Sequence, residues 1–89
     1  MKIKNGFVLR QLADTWVVLP LLSRSVNFNG MLTLNETGAF LWHLLEKGSD
    51  TEALVRALCD EYEVTEETAL ADVETFLATL READCIELQ

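Results

Sequence analysis

The hydrophobic pattern of this chain changes period once, near Asn35. Over residues 7–34, Val, Leu, Phe, Trp and Thr dominate and turn residues punctuate them, which is the composition of strands. Residues 7–12 and 15–21 flank the link Ala13-Asp14, short enough for a tight hairpin. Asp tolerates the backbone angles of such a turn, whereas Ala is not the ideal partner. Pro20 has no N–H to give to a ladder, so it is expected near the end of the second strand or at a bulge. The polar loop Ser23-Arg24-Ser25 leads into a third strand at about residues 27–34. There Phe28, Gly30, Leu32 and Leu34 share one face, while Asn27, Asn29, Met31 and Thr33 share the other.

From Asn35 the spacing is helical. Asn35 is a natural N-cap, with Glu36 well placed against the helix dipole. Phe40, Leu41, Leu44 and Leu45 form an apolar stripe that Trp42 widens, and Gly48 ends the helix. Ser49-Asp50-Thr51-Glu52 fits the S-x-x-E capping box and opens a second helix, with Leu54, Val55, Leu58, Cys59 and Tyr62 on its apolar face. Thr65 caps a third, whose stripe is Leu70, Val73, Phe76, Leu77 and Leu80. A short extended piece at 85–88 closes the chain. The expected architecture is α+β: one domain over residues 1–89, a three-stranded antiparallel sheet followed by three helices. A strand inside residues 36–62 would overturn it.

Composition narrows the function classes. Eighty-nine residues, 49% hydrophobic, with one Pro and four Gly, describe a folded domain rather than a disordered segment. Seven basic against fifteen acidic residues give a net charge of -8, which argues against nucleic acid and against a polybasic membrane role. No stretch approaches the roughly 20 apolar residues of a membrane span. The basic start, Met1-Lys2-Ile3-Lys4-Asn5-Gly6, is followed by no secretory apolar core, so the cytoplasm is the expected compartment. Cys59 and Cys85 lie too far apart for a metal knuckle and read as small, semi-buried apolar residues. His43, the single histidine, has no ligand or triad partner at a suitable spacing. The carboxylates Glu61, Glu63, Glu66, Glu67, Asp72 and Glu74 follow helix starts and solvent faces. No glycine loop cradles a phosphate. The chain is expected to be no enzyme and to need no cofactor or metal.

The third strand is the informative feature. It carries no Pro, Lys or Glu over residues 27–34, so its edge has none of the usual devices that discourage pairing. Three outcomes fit: a helix or the C-terminal segment covers it, it pairs with its own copy, or a guest peptide adds to it as a strand.

The run Phe28-Asn29-Gly30-Met31-Leu32-Thr33-Leu34-Asn35-Glu36-Thr37-Gly38-Ala39 resembles the strand and Leu-Asn-x-Thr-Gly/Ala signature of the PqqD-like family. Asp72-Val73 and Phe76-Leu77 are similar to its Asp-Val-x-x-Phe-Leu. Leu80-Arg81-Glu82-Ala83-Asp84-Cys85-Ile86 is similar to its Leu-x-x-x-Gly-Leu-Ile ending, with Asp84 where Gly is common. That substitution leads us to expect a third helix ending without the usual left-handed glycine. The resemblance runs from about residue 7 to 86. It implies a winged helix-turn-helix-like shape and a recognition element for ribosomally made, post-translationally modified peptides. The leader of a precursor peptide would lie beside the third strand, with the third helix as the other wall. The core would pass to a partner such as a radical S-adenosylmethionine enzyme.

Carried over residue by residue, Phe28, Asn29, Gly30, Met31, Leu32 and Thr33 would supply backbone hydrogen bonds, and Asp72, Val73, Phe76 and Thr79 would line the groove. Leu32, Val73 and Phe76 equally suit a plain core role, and Asp72 a local cap or ion pair. A monomer or weak dimer is expected. Two rival classes remain: an oligomerisation module pairing through the third strand, and a winged-helix DNA-binding regulator. The regulator is disfavoured because the third helix sets only Arg81 against Glu66, Glu67, Asp72, Glu74 and Glu82. Elemental analysis of the purified protein is expected to find no stoichiometric zinc or iron; one metal per chain would overturn this reading.

Overall fold

The computed structural model describes residues 1–20 and 32–87. Its elements are β1 (Lys2–Ile3), β2 (Phe7–Leu12), β3 (Thr15–Pro20), β4 (Leu32–Leu34), α1 (Glu36–Lys47), α2 (Thr51–Glu61), α3 (Glu66–Glu82) and β5 (Ile86–Glu87). The sheet order is β2-β3-β4, antiparallel throughout, so the expected meander followed by helices is present. Pro20 is the last residue of β3, as a residue without an N–H should be. Residues 27–31 of the expected third strand lie outside the described residues.

The hairpin turn differs from expectation in one respect. Leu12 pairs with Thr15 across Ala13-Asp14, but Ala13 takes the left-handed conformation, at φ 55. Asp14 does not. The register leaves room for a two-residue link only, so alanine accepts a backbone region that its Cβ disfavours.

The helix starts follow the side chains. Asn35 accepts from the Gly38 N–H at 2.8 Å, and Thr65 accepts from the Thr68 N–H at 3.2 Å. For α2 the cap is Asp50, whose Oδ1 accepts from the Ala53 N–H at 2.8 Å, rather than Ser49. The Ser49 backbone is already committed, exchanging two 2.8 Å hydrogen bonds with the backbone of Met1. Glu52 then has no cap to close and pairs with Arg56 along the helix. α3 ends without a left-handed glycine, as expected, but the left-handed position itself is kept, because Asp84 adopts it at φ 59. Its N–H reaches the Arg81 carbonyl at 3.1 Å, and the Cys85 N–H reaches Leu80 at 2.9 Å, a Schellman ending without glycine. Asp84 also accepts from Lys4 Nζ, joining this end to β1. The two-residue strands β1 and β5 pair through Lys2↔Glu87 and Ile3↔Ile86. They are too short to carry a period, which is why the sequence reading had no strand at residues 2–3.

One face of the sheet meets the helices. Val18 and Leu34 are buried in the core, and Phe7, Leu9, Trp16 and Leu32 pack against it. Leu41, Trp42 and Leu45 from α1, Leu54 and Leu58 from α2, and Val73, Leu77 and Leu80 from α3 fill the interior. Ile3, Cys85 and Ile86 close one end. The indole N–H of Trp42 meets no acceptor among the described residues, so this ring contributes by burial alone. The stripe of α3 begins with the fully buried Ala69, while Leu70, expected inside, is 42% exposed. Ala69, Val73, Phe76, Leu77 and Leu80 form the i, i+4, i+7, i+8, i+11 series, and Leu70 lies about 100° off it.

The turn generates the first stability prediction. Ala13→Gly removes the Cβ from a left-handed position and should stabilise the fold by up to about 1 kcal/mol, raising the thermal midpoint by a few degrees. A lower midpoint in a thermal melt would show that residue 13 is not held in that region.

Candidate functional site

The sheet leaves β4 at an edge, bonded to β3 alone among the described residues. The register decides which of its groups are open. Leu12 and Thr15 flank the hydrogen-bonded turn, so Thr15 bonds toward β2. Backbone groups alternate along a strand, so Trp16 and Val18 bond the other way, toward their β4 partners Leu34 and Leu32. Thr33, opposite Val17, therefore directs its N–H and C=O away from the sheet.

That open edge faces α3 across a groove of about 320 Å³. Leu34, Leu41 and Phe76, each at least nine-tenths buried, supply apolar surface. Thr33 and Thr37 stand on one side, Thr75 and Thr79 on the other, and Asp72 is the one charged residue among the described lining. The Thr79 hydroxyl donates to the Thr75 carbonyl at 3.0 Å, which holds it along its own helix. Gly38 keeps the floor open: a Cβ there would stand 3.2 Å from Leu34 Cβ and 3.3 Å from Asn35 Oδ1.

The residues singled out from sequence distribute as follows. Thr33, Asp72, Phe76 and Thr79 line this one groove. Leu32 is half-buried and packs against the core, and Val73 is fully buried within it, so neither lines the groove. Phe28, Asn29, Gly30 and Met31 lie outside the described residues. Leu34, Asn35, Thr37, Gly38, Leu41 and Thr75 also line the groove; Leu34, Asn35 and Leu41 were read from sequence as strand, cap and core, Thr37 and Gly38 as part of the family signature, and Thr75 was not singled out. The signal that could have found them is the immediate succession of strand and helix at residue 35, which brings both elements to one surface.

The described residues hold no group of three His, Cys, Asp or Glu able to share a metal ion. His43 is exposed, with Nδ1 3.1 Å from Glu46 Oε1 and its ring edge-on to Trp16 at 6.1 Å. Burial, and then the neighbouring Asp84, push the Cys85 thiol up to about 11, with Lys4 opposing. It is protonated at neutral pH and a poor nucleophile. No described helix is long and apolar enough to cross a membrane. What the groove offers is binding: open backbone groups on one side, apolar surface below and hydroxyls on the walls.

The family model for coenzyme PQQ synthesis protein D (PqqD) matches residues 15–86. Among solved structures, that of TbiB1 in complex with the TbiA(beta) leader peptide is similar over 100% of this chain and 98% of that one. The two are 31% identical, with a TM-score of 0.77. No curated protein matches.

Gly38 generates the prediction for this site. Gly38→Val should destabilise the fold by about 1–3 kcal/mol, since the added methyls overpack Leu34 and crowd the capping Asn35. Urea denaturation measures it. An unchanged midpoint would mean that the strand–helix junction yields freely.

Proposed function

This chain belongs to the PqqD family, and we propose that it captures the leader of a ribosomally made precursor peptide as an added strand on β4. The remaining core peptide would be presented to a modifying enzyme, such as a radical S-adenosylmethionine enzyme, in the cytoplasm. The observation that carries this reading is the outward-facing backbone of Thr33 opposite α3, with apolar surface between them. A guest strand needs donors and acceptors for its backbone and pockets for alternate side chains, and both stand together here. The likeness to a protein solved with a leader peptide supports the same reading.

Magnitudes set what the groove must supply. Four to six inter-chain hydrogen bonds at roughly 1 kcal/mol net each give a few kcal/mol. Ordering a flexible leader costs about 2–5 kcal/mol. One or two apolar side chains seated over Leu34, Leu41 and Phe76 add roughly 1.5–3 kcal/mol each, enough for micromolar binding. The protein's part is to bind and position, with no catalytic step of its own. Five acidic residues of α3, Glu66, Glu67, Asp72, Glu74 and Glu82, are exposed beside a single Arg81, the wrong charge for a DNA-reading helix.

Titration calorimetry with a precursor leader peptide tests the reading. Thr33→Pro removes an outward N–H and should weaken binding about tenfold with the circular dichroism unchanged. Leu32→Pro removes a ladder bond to Val18 and should instead lower the melting temperature. Thr79→Glu should weaken the leader by placing a charge on the groove wall. Equal affinity across these folded variants would place the peptide elsewhere, and a dimer that sediments independently of concentration and ignores the leader would favour self-pairing.

A further inference from the structure

A larger groove, about 600 Å³ against about 320 Å³, lies between α2 and α3. Val55 and Cys59 of α2 and Leu70 of α3 supply its apolar surface. Leu70 is one of two large hydrophobic residues exposed among those described, and the core does not use it, because Ala69 occupies the interior position beside it. At about 100° per residue, Leu70 falls on the side of α3 opposite Thr79. One helix is therefore a wall of two grooves that face apart, and filling one leaves the other accessible.

The rim of this second groove is acidic. Glu52, Asp60 and Glu66 border it, and its one cation, Arg56, is engaged by Glu52 at 3.2 Å. Three carboxylates against one committed guanidinium, on a chain of net charge -8, give it a field that attracts cations. A second copy of this chain would bring the same negative charge and be repelled. An extended peptide finds no strand edge here, since both walls are helices whose backbone groups are bonded internally. A helix laid against the pair seats side chains at i, i+3 and i+4 on such a surface.

We propose that the α2–α3 groove docks a basic amphipathic helix of a partner protein, with an apolar side chain against Val55, Cys59 and Leu70 and Lys or Arg against the rim. The site does not depend on strand addition at β4, and a peptide held there leaves it open. A domain with both grooves filled would hold a peptide and a second protein together, with α3 between them.

The test uses the full chain, labelled with nitrogen-15, and a synthetic helix of about five turns with leucines at i, i+3, i+4 and i+7 and lysines elsewhere. A control keeps the leucines and replaces every lysine with glutamate. The lysine helix should shift the amides of Val55, Cys59 and Leu70, and its affinity should fall as salt rises. Leu70→Glu should weaken it about tenfold, and the exposure of residue 70 lets that variant fold. Asp60→Asn with Glu66→Gln should also weaken it while the core is untouched. Equal binding of both helices, shifts confined to Thr33, Asp72 and Phe76, no effect of Leu70→Glu, or no binding at millimolar concentration would each overturn the proposal. Leader binding should be the same in Leu70→Glu as in the parent, so failure at one groove is distinguishable from failure at the other.

Discussion

The approach of Gly38 to Leu34 is the constraint on which the open edge depends. The side chain of Asn35 accepts from the Gly38 N–H, and Asn35 is the single residue between the end of β4 and the start of α1. A helix can start that abruptly only if its first turn clears the strand it leaves, and a Cβ at residue 38 would stand 3.2 Å from Leu34. With hydrogen there instead, Leu34 is buried on the core side and α1 lies beneath the sheet. Thr33, one residue earlier, is left facing outward toward α3. The same short segment thus terminates a strand, caps a helix and sets one wall of the groove.

The opposite wall is positioned by the core and by the chain ends. Val73, Leu77 and Leu80 bury one side of α3, while Phe76 lies between core and groove. The left-handed Asp84 turns the chain into β5, which pairs with β1, and the Met1 backbone in turn bonds Ser49 ahead of α2. The start of the chain therefore bonds to the connection between α1 and α2 and to the end of α3. These contacts are mostly backbone hydrogen bonds, which tie elements in a fixed register with few side chains spent.

Charge then separates what the shape alone would allow. Carboxylates dominate the exposed surface of α3, which would repel a duplex's phosphates. The groove beside β4 is lined mainly by hydroxyls and apolar carbon, with one carboxylate, which suits an uncharged backbone and apolar anchors better than phosphate.

The one change of hydrophobic period, near Asn35, already determined a sheet followed by helices, and the capping side chains Asn35 and Thr65 marked two helix starts, because these signals are local. Local signals failed where a distant partner intervened. Met1 engages the backbone of Ser49 and the cap passes to Asp50; the hairpin register forces Ala13, rather than Asp14, into the left-handed region. β1 and β5 exist only through each other. The periodicity of α3 could not say that Leu70 faces outward while Ala69 is buried, since an apolar stripe two residues wide fits either rotation until the neighbouring helices fix it. Likewise, the pleat assigned Thr33 and Leu32 to opposite faces from sequence alone. Which of them turns its N–H toward solvent required the register with β3, because backbone bonding alternates along a strand and only pairing sets its phase.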